Sequence, residues 1–335
     1  MEVEKNKSLV FWDLISSSYD EYVLGKNAPR EIRVLEEAED TFFDLVLKEH
    51  IEGQKRTVFL ELGSGTGRYL LRSLNNVFTY DHYNRFLAHI IGIDFSLKMI
   101  EKSITNIENH VPRLAEIMEV DQPTARRRVQ ERLSFVNADV RKHYLSVEGD
   151  VLTLVGLMFG TLGNIPMSHH DAVLSRIKTL IDHGGECIIT VFNAEAHKIG
   201  QSTYGDLKGL VGHKLEWNSR TKTFTTLDRN FYSHWFNEGE LDDLLRRNGF
   251  GEILESRSIG ERGISVRIST PRGMNKILKF SGKKAEIFLL CPDCSQKLCP
   301  IPIPRRRSVK CHGCSARYMI KDIHGFRVPV LVMNK

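Results

Sequence analysis

The chain has 335 residues, of which 41% are hydrophobic and 27% are charged, and its formal net charge is +5. This composition is typical of a globular protein with a sizeable core, and the mild positive charge allows an anionic partner without requiring one. No stretch approaches the roughly 18 apolar residues that a membrane span needs, and residues 1–7 lack the apolar segment of a secretory signal. We therefore expect a cytoplasmic protein without a membrane partner.

The predicted elements change character along the chain. Residues 1–50 have helical periodicity and predict an N-terminal helical cap. From residue 57 to residue 192, short apolar strands alternate with amphipathic helices, which is typical of a parallel, doubly wound α/β sheet. Residues 51–270 therefore predict one α/β domain. Two strand-like runs within residues 212–235 predict an inserted hairpin, and residues 271–284 predict a linker to a C-terminal module at 285–335.

A glycine loop, Glu61-Leu-Gly-Ser-Gly-Thr-Gly67, lies between the first strand and a helix that begins at Arg68. Glycines let the backbone turn sharply and approach a ligand beside the N–H groups of a helix N-terminus. The alternative is a tight turn that only packs the helix on the sheet. A dinucleotide-binding loop would need its third glycine at position 68, so Arg68 disfavours NAD.

Acidic residues follow the next two strands. The second strand ends at Asp94, and Asp139 follows the third strand. Carboxyl ends of parallel strands meet at one sheet edge, where an acid can accept both ribose hydroxyls of an adenosine. Either acid alone could be a helix cap or a solvated turn residue, but their order after the glycine loop predicts a nucleoside site.

Three segments, 61–67, 92–100 and 137–140, resemble the successive motifs of class I S-adenosylmethionine-dependent methyltransferases. The resemblance covers about residues 8–260. It implies a Rossmann-like seven-stranded sheet with helices on both faces, and S-adenosylmethionine as co-substrate. Asp94 lies 27 positions after Gly67, a longer gap than is usual in the family. We place the extra residues in a loop at 75–86.

The resemblance also implies roles for single residues. Glu61 would orient the methionine ammonium, Asp94 would hold the ribose, and Asp139 with the Val140 amide would contact the adenine edge. Met99 would pack on the adenine ring. The residues predicted to bind the cofactor are Tyr19, Glu61, Gly63, Ser64, Gly65, Gly67, Asp94, Phe95, Met99, Asp139, Val140 and Met158.

Two further segments concern the methyl acceptor. Residues 158–166 resemble the corresponding loop of small-molecule N-methyltransferases that act on amines. Residues 11–13 and 18–20 resemble the N-terminal helix that closes over the cofactor in the same relatives, which would place Tyr19 near the reacting sulfonium. The alternative is that Trp12 and Tyr19 only dock a helix.

Methyl transfer is a displacement at an already activated sulfonium, so alignment of the acceptor matters most and a general base is optional. The candidate catalytic residues are Tyr19, Tyr232 and His234. The last two belong to the aromatic run Phe231–Phe236, which is also typical of a packed strand end.

The C-terminal module carries two CxxC pairs at the spacing CxxC-x16-CxxC. Their four thiolates are Cys291, Cys294, Cys311 and Cys314. Four thiolates match the tetrahedral preference of Zn²⁺ and fill its coordination shell, so we expect a structural zinc site in a small zinc ribbon. Cys299 falls outside this spacing, and His312 is an alternative ligand.

The module, with Tyr318 and residues 322–331, resembles a zinc ribbon whose relatives include the small activator subunit shared by several tRNA, rRNA and protein methyltransferases. Here the ribbon is fused to its own catalytic domain. Residues 305–307 are three arginines, which indicate either a solvated loop or a contact with phosphate.

Three functions remain open from the sequence. The leading hypothesis is a methyltransferase that acts on an amine or hydroxyl of a small molecule. The second is an RNA- or protein-modifying methyltransferase that docks its substrate through the ribbon. The third is a non-catalytic scaffold that keeps the cofactor fold. The intact loop and both acids argue against the third.

Overall fold

In the computed structural model, a long mixed sheet runs through the molecule. The described residues are 2–22, 28–53, 56–80, 87–141, 144–182, 184–198, 215–226, 231–250, 252–259, 263–269, 286–291, 293–303, 307–314 and 316–332. Within them, no helix is both long and apolar enough to cross a lipid bilayer.

Eight α-helices lie within the described residues. They are α1 (Glu2–Ile15), α2 (Tyr19–Tyr22), α3 (Arg30–Glu52), α4 (Arg68–Tyr80), α5 (Leu97–Met118), α6 (Gln122–Arg132), α7 (His170–Ile181) and α8 (Glu238–Arg247). Ser96 caps the N-terminus of α5, because its hydroxyl oxygen accepts a hydrogen bond from the Met99 amide at 3.1 Å.

The strands within residues 57–269 come first along the chain. They are β1 (Thr57–Leu62), β2 (Leu87–Asp94), β3 (Leu133–Asn137), β4 (Tyr144–Glu148), β5 (Leu152–Leu157), β6 (Gly185–Phe192), β7 (Leu215–Asn218), β8 (Thr223–Thr226), β9 (Tyr232–His234), β10 (Glu252–Ile259) and β11 (Gly263–Ser269). The C-terminal strands are β12 (Glu286–Leu290), β13 (Lys297–Ile301), β14 (Ser308–Lys310), β15 (Arg317–Ile323) and β16 (Phe326–Val332).

The main sheet has the strand order β10-β11-β6-β5-β1-β2-β3-β16-β15-β14. Its central strands β3, β2, β1, β5 and β6 are parallel, and β11 is antiparallel to both β6 and β10. All six residues of β1 are buried, as expected of a strand covered by helices on both faces. This order brings the carboxyl ends of β1, β2, β3 and β5 to one edge.

The sheet differs from the seven-stranded prediction. Seven strands come from residues 57–269, and three strands of the C-terminal module extend them to ten within the described residues. The extension forms because β3 would otherwise be an open edge, and β16 pairs with it in parallel at Val330 and Asn137.

Two smaller sheets flank the main one. The first has the order β13-β12-β4 and joins the C-terminal module to β4, a strand that the sequence did not predict. The second has the order β7-β8-β9. Where the sequence predicted a two-stranded hairpin, β9 adds a third strand.

The long gap between the glycine loop and Asp94 is filled partly by helix. Asn75–Tyr80 belong to α4, where Val77 and Phe78 are buried, so the predicted loop is wrong for these residues. The remainder of that predicted loop, residues 81–86, and the predicted linker at 271–284 lie outside the described residues.

Candidate active site

A cavity of about 510 Å³ opens at the carboxyl ends of the central strands, beneath α1, α2 and the β7–β9 sheet. Its size falls within the range usual for small-molecule sites. All but one of the residues predicted to bind the cofactor lie in its wall: Tyr19, Glu61, Gly63, Ser64, Gly65, Asp94, Phe95, Met99, Asp139, Val140 and Met158. The remaining one, Gly67, does not line the cavity.

Three glycines of the loop have positive φ angles, for two different reasons. At Gly63 (φ +73°) an added Cβ would lie 2.5 Å from the Thr161 side chain, and at Gly67 (φ +85°) it would lie 2.0 Å from the Ser103 hydroxyl. These two positions therefore allow close packing of the loop on its neighbours. Gly65 (φ +50°) faces open space, so its missing side chain leaves room in the cavity.

Asp94 connects the second strand to this loop. Its Oδ2 accepts a hydrogen bond from the Gly65 amide at 2.9 Å, and its Oδ1 accepts one from the Ser96 amide at 2.8 Å. The carboxyl group is buried, and burial raises its pKa to about 6. Each carboxylate oxygen can accept more than one hydrogen bond, so Asp94 can still accept from a bound ligand.

Glu61 is the most unusual acid of the wall. It is 3% exposed, and its Oε2 has no hydrogen-bond partner among the described residues. Burial raises its pKa well above the ordinary value, nearby Asp94 and Glu39 raise it further, and Arg68 opposes them. A buried, unpaired carboxyl oxygen is costly. The ammonium group of a methionine tail would satisfy it, so this side of the cavity fits S-adenosylmethionine.

The residues predicted to contact adenine also line the cavity. The Asp139 carboxylate forms an ion pair with the Arg141 guanidinium, with Nη2 and Oδ2 separated by 2.7 Å. The Val140 carbonyl accepts a hydrogen bond from Arg176 Nη1 at 2.9 Å. Met99 is 2% exposed and lines the same cavity. Arg141 also lines it, although the sequence reasoning gave it no role.

The N-terminal helices close the cavity from above. Asp13 Oδ1 accepts a hydrogen bond from the Ser96 hydroxyl at 2.5 Å, which ties α1 to the end of β2. Asp20 Oδ2 accepts one from Asn106 Nδ2 at 2.7 Å, which ties α2 to α5. Trp12 and Tyr19 line the cavity with ring centroids 6.2 Å apart. Both rings therefore belong to docked helices and to the cavity wall, and the role of Tyr19 near the sulfonium stays a prediction.

The opposite side of the cavity is uncharged among the described residues. The loop after β5 and the β7–β9 sheet supply Phe159, Thr161, Asn164, Ile165, Pro166, Asn218, Thr223, Thr225, Phe231 and Tyr232. Burial raises the pKa of the Tyr232 hydroxyl to about 12. At neutral pH this group therefore stays protonated and can donate a hydrogen bond.

His234 is placed away from the cavity, contrary to the sequence expectation. Its side chain is 1% exposed, with Nε2 at 2.9 Å from Glu240 Oε1 and Nδ1 at 3.0 Å from the Thr221 carbonyl oxygen. Glu240 also pairs with Lys222 at 2.8 Å. This polar cluster holds the β7–β9 sheet against α8. His234 therefore agrees with the alternative given from the sequence, a packed strand end.

The sequence did not predict a role for Glu39, beneath the cavity, or for its neighbour Arg68 in the cavity wall. Glu39 on α3 is fully buried, and its Oε1 accepts a hydrogen bond from the Phe159 amide at 2.7 Å. Its Oε2 lies 3.8 Å from Arg68 Nη1, and Arg68 also pairs with Asp40 at 2.6 Å. The available signal was an acid within the buried stripe of α3, four residues after Leu35.

The C-terminal module brings the two CxxC pairs together. The Sγ atoms of Cys291, Cys294, Cys311 and Cys314 all lie within 4.8 Å of one another. This donor set fits a tetrahedral zinc ion. Cys299 is buried within β13 and is not part of the group. Of the three arginines at 305–307, for which a phosphate contact was one alternative, the first two lie outside the described residues.

The parallel sheet with its antiparallel β11, the glycine loop and the two acids at neighbouring strand ends define a class I S-adenosylmethionine-dependent methyltransferase fold. A family model described as a methyltransferase domain matches residues 34–254. The chain therefore belongs to this methyltransferase-domain family. A search of curated proteins found no match.

Solved structures with similar folds have low sequence identity to this chain. A protein from Pyrococcus horikoshii is 15% identical, with 72% of this chain and 92% of that chain covered and a TM-score of 0.46. A SAM-dependent methyltransferase from Methanosarcina mazei is 18% identical, with 64% and 92% covered and a TM-score of 0.41. The glycopeptide N-methyltransferase MtfA, solved with S-adenosylmethionine, is 10% identical, with 68% and 87% covered and a TM-score of 0.41.

Proposed function

We propose that this chain transfers a methyl group from S-adenosylmethionine to an amine, or to a hydroxyl, of a small molecule. The observation that carries the proposal is the division of one cavity into two parts. The acidic residues Glu61, Asp94 and Asp139 lie at the strand ends, and a wall without acids or bases among its described residues, from residues 158–166 and the β7–β9 sheet, lies opposite.

The charges of the cavity favour a small acceptor over RNA. Its described wall includes two cationic side chains, Arg68 and Arg141, and both form ion pairs with acids. Binding of a nucleic-acid backbone depends on cations that neutralise phosphates. Hydroxyl and amide groups such as those of Asn164 and Thr225 suit a neutral, hydrogen-bonding acceptor instead.

The chain's own residues would hold the cofactor and shield the reaction. Glu61 Oε2 would accept from the methionine ammonium, Asp94 from the ribose, and Asp139 with Val140 would contact the adenine. Bound S-adenosylmethionine supplies a methyl group that is already activated for displacement. Trp12 and Tyr19 cover this region. They exclude water from the reaction and limit the positions that the acceptor can take.

Proton removal is not assigned to Tyr232. Because its pKa is raised to about 12, the hydroxyl donates a hydrogen bond to the acceptor rather than taking its proton. An amine acceptor would therefore react in its neutral form, and its methylated ammonium product would release a proton to solvent. A hydroxyl acceptor would lose its proton to solvent as the new C–O bond forms. Tyr19 remains the other candidate near the transferred group.

The test is methylation of a panel of small amines and alcohols, with bulk tRNA and a protein extract as competing acceptors and S-adenosylhomocysteine measured as product. We expect transfer to a small amine or alcohol. In Tyr232→Phe, kcat/KM should fall about 2- to 10-fold, the usual effect of one lost hydrogen bond, and the Kd of S-adenosylhomocysteine should stay unchanged.

Tyr80→Phe is the matched control, because Tyr80 is 51% exposed at the end of α4 and should leave both quantities unchanged. Transfer to tRNA or protein alone would contradict the small-molecule proposal.

A further inference from the structure

The wall predicted to contact adenine is thin. Ala138 and Val140 line the main cavity on one side and a second cavity of about 250 Å³ on the other. The second cavity is enclosed mainly by aliphatic side chains of the sheet, α7, β4 and β12. Val140 packs against the core and its carbonyl accepts a hydrogen bond from Arg176 of α7. The second cavity nevertheless leaves the packing behind Asp139–Arg141 incomplete, so the position of this segment also depends on what holds its two ends.

The C-terminal module holds the later end. After Arg141 the chain enters β4, and the strand partner of β4 in its sheet is β12. Five residue pairs join them, from Glu286 with Glu148 to Leu290 with Tyr144. An ion pair adds to this pairing, since Lys297 Nζ lies 2.7 Å from Glu148 Oε1.

The module also supports the earlier end. The strand before the segment, β3, pairs with β16 at Asn137 and Val330. The rings of Phe135 and Phe326 pack edge to face with centroids 5.5 Å apart. Gln130 Nε2 donates a hydrogen bond to the His324 carbonyl at 3.0 Å.

Both supports lead directly to the cysteine cluster. Cys291 follows β12 at once, and its amide donates to the Gln296 carbonyl at 2.8 Å, so the first CxxC pair forms the turn between β12 and β13. Cys311 follows β14 at once, and its amide donates to the Ala316 carbonyl at 2.8 Å, so the second pair forms the turn between β14 and β15. One hairpin reaches β4, and the other reaches β3 through β16. A metal bound by all four thiolates would join the two hairpins.

We propose that a zinc ion held by Cys291, Cys294, Cys311 and Cys314 fixes the Asp139–Arg141 segment through both hairpins, so that cofactor affinity depends on the metal. The cysteines act as positioning residues at a distance from the cavity. The link to cofactor affinity rests on the proposed function, whereas the link to the position of the segment does not.

The experiment compares the full chain loaded with zinc, stripped by a chelator, and reloaded with zinc. Amide hydrogen exchange is followed in peptides covering residues 139–148 and in peptides covering β1 to α4, and the Kd of S-adenosylhomocysteine is measured by calorimetry. On zinc removal we expect exchange at 139–148 to accelerate at least tenfold and the Kd to rise at least tenfold. The exchange rate at 139–148 and the Kd should both return to their original values when zinc is added back. Exchange from β1 to α4 should not change in either step.

Cys314→Ser should reproduce the stripped state, because Cys314 is exposed and its replacement disturbs no packed core. Cys299→Ala is the control in the same module, and it should retain zinc and the affinity of the unmodified chain. Unchanged exchange at 139–148 after zinc loss would overturn the proposal. Equal acceleration from β1 to α4 would also overturn it, because the metal would then stabilise the whole chain.

Failure of the cofactor binding on which the proposed function rests would give a different result. The zinc-loaded chain would then not bind S-adenosylhomocysteine, and the exchange data would still decide whether the metal positions the segment.

Discussion

At the scale of single residues, Asp94 links the shape of the loop to ligand binding. The same carboxylate accepts hydrogen bonds from the Gly65 and Ser96 amides and faces the cavity. Ribose hydroxyls donate hydrogen bonds, and an ionised carboxylate accepts them more strongly than a protonated one. Ionisation of Asp94 should therefore control cofactor affinity.

The pH dependence of binding follows from the pKa of Asp94, which burial raises from 3.8 to about 6. Below pH 6 the group is increasingly protonated, so the Kd of S-adenosylhomocysteine should rise by up to about tenfold per pH unit. The folding stability of the unliganded chain depends on pH in the opposite direction. The raised pKa makes ionised Asp94 unfavourable to folding above pH 6, and this cost is relieved as the pH falls from 6 towards 4.

Calorimetry between pH 5 and pH 8 checks this, with Asp94→Asn as the reference. The variant lacks this titration, so the ratio of the two Kd values separates the effect of Asp94 from that of Glu36 on α3, whose pKa is also raised. A ratio that is constant between pH 5 and pH 7 would contradict the assignment.

The sequence placed the acids of the site but not their partners. Asp94 and Asp139 could be predicted because strand ends of a parallel sheet converge. The buried Glu39 could not be connected to Arg68, because that contact joins α3 to α4 across the fold and neither residue carries a local motif. For His234 the sequence predicted a place in the site that the structure does not show, since its aromatic neighbours did not reveal which way its side chain points.

At the scale of elements, the glycine loop is shaped by the helix that packs behind it. Gly67 approaches α5 so closely that an added Cβ would lie 2.0 Å from the Ser103 hydroxyl. Packing of α5 on the loop therefore sets where Asp94 and Gly65 meet. The sequence explained these glycines by cofactor contact, whereas the structure explains Gly63 and Gly67 by close packing.

Gly67→Ala should destabilise the chain by about 2 kcal/mol or more, because it combines a steric clash with a backbone φ of +85° that L-residues rarely adopt. Gly239→Ala is the matched control. Gly239 lies in α8 with open space around it, and alanine there should stabilise by up to about 1 kcal/mol.

Urea denaturation of the two variants and the unmodified chain measures both effects. The midpoint should fall for Gly67→Ala and rise slightly for Gly239→Ala. Equal midpoints for the two variants would show that the loop does not depend on this close approach.

The elements themselves were predictable where apolar periodicity was strong, as in β1 and α5. Two were not. Residues 75–80 extend α4 because Val77 and Phe78 find a buried surface, which local sequence does not reveal. The strand β4 forms because β12 pairs with it, although the two strands are separated by more than a hundred residues.

At the scale of the whole molecule, the C-terminal module is joined to the rest of the chain by two sheets, since β14, β15 and β16 extend the main sheet and β12 pairs with β4. The sequence predicted a separate zinc ribbon after a linker, and the CxxC spacing did predict the gathering of the four thiolates. It could not predict that β16 would pair with β3, because an open strand edge accepts partners by geometry rather than by a motif. Zinc binding and cytoplasmic location both stay predictions.

The central claim, a cofactor site at the ends of β1, β2 and β3, is tested most directly by calorimetry with S-adenosylhomocysteine at pH 7.5. We predict one site on the unmodified chain and a Kd about 10- to 100-fold higher for Asp94→Asn, because hydrogen bonds to a charged group contribute about 1.5–3 kcal/mol. Asp171→Asn, at an exposed position of α7, should match the unmodified chain. No binding to the unmodified chain at millimolar ligand, or equal affinity for Asp94→Asn, would contradict the account.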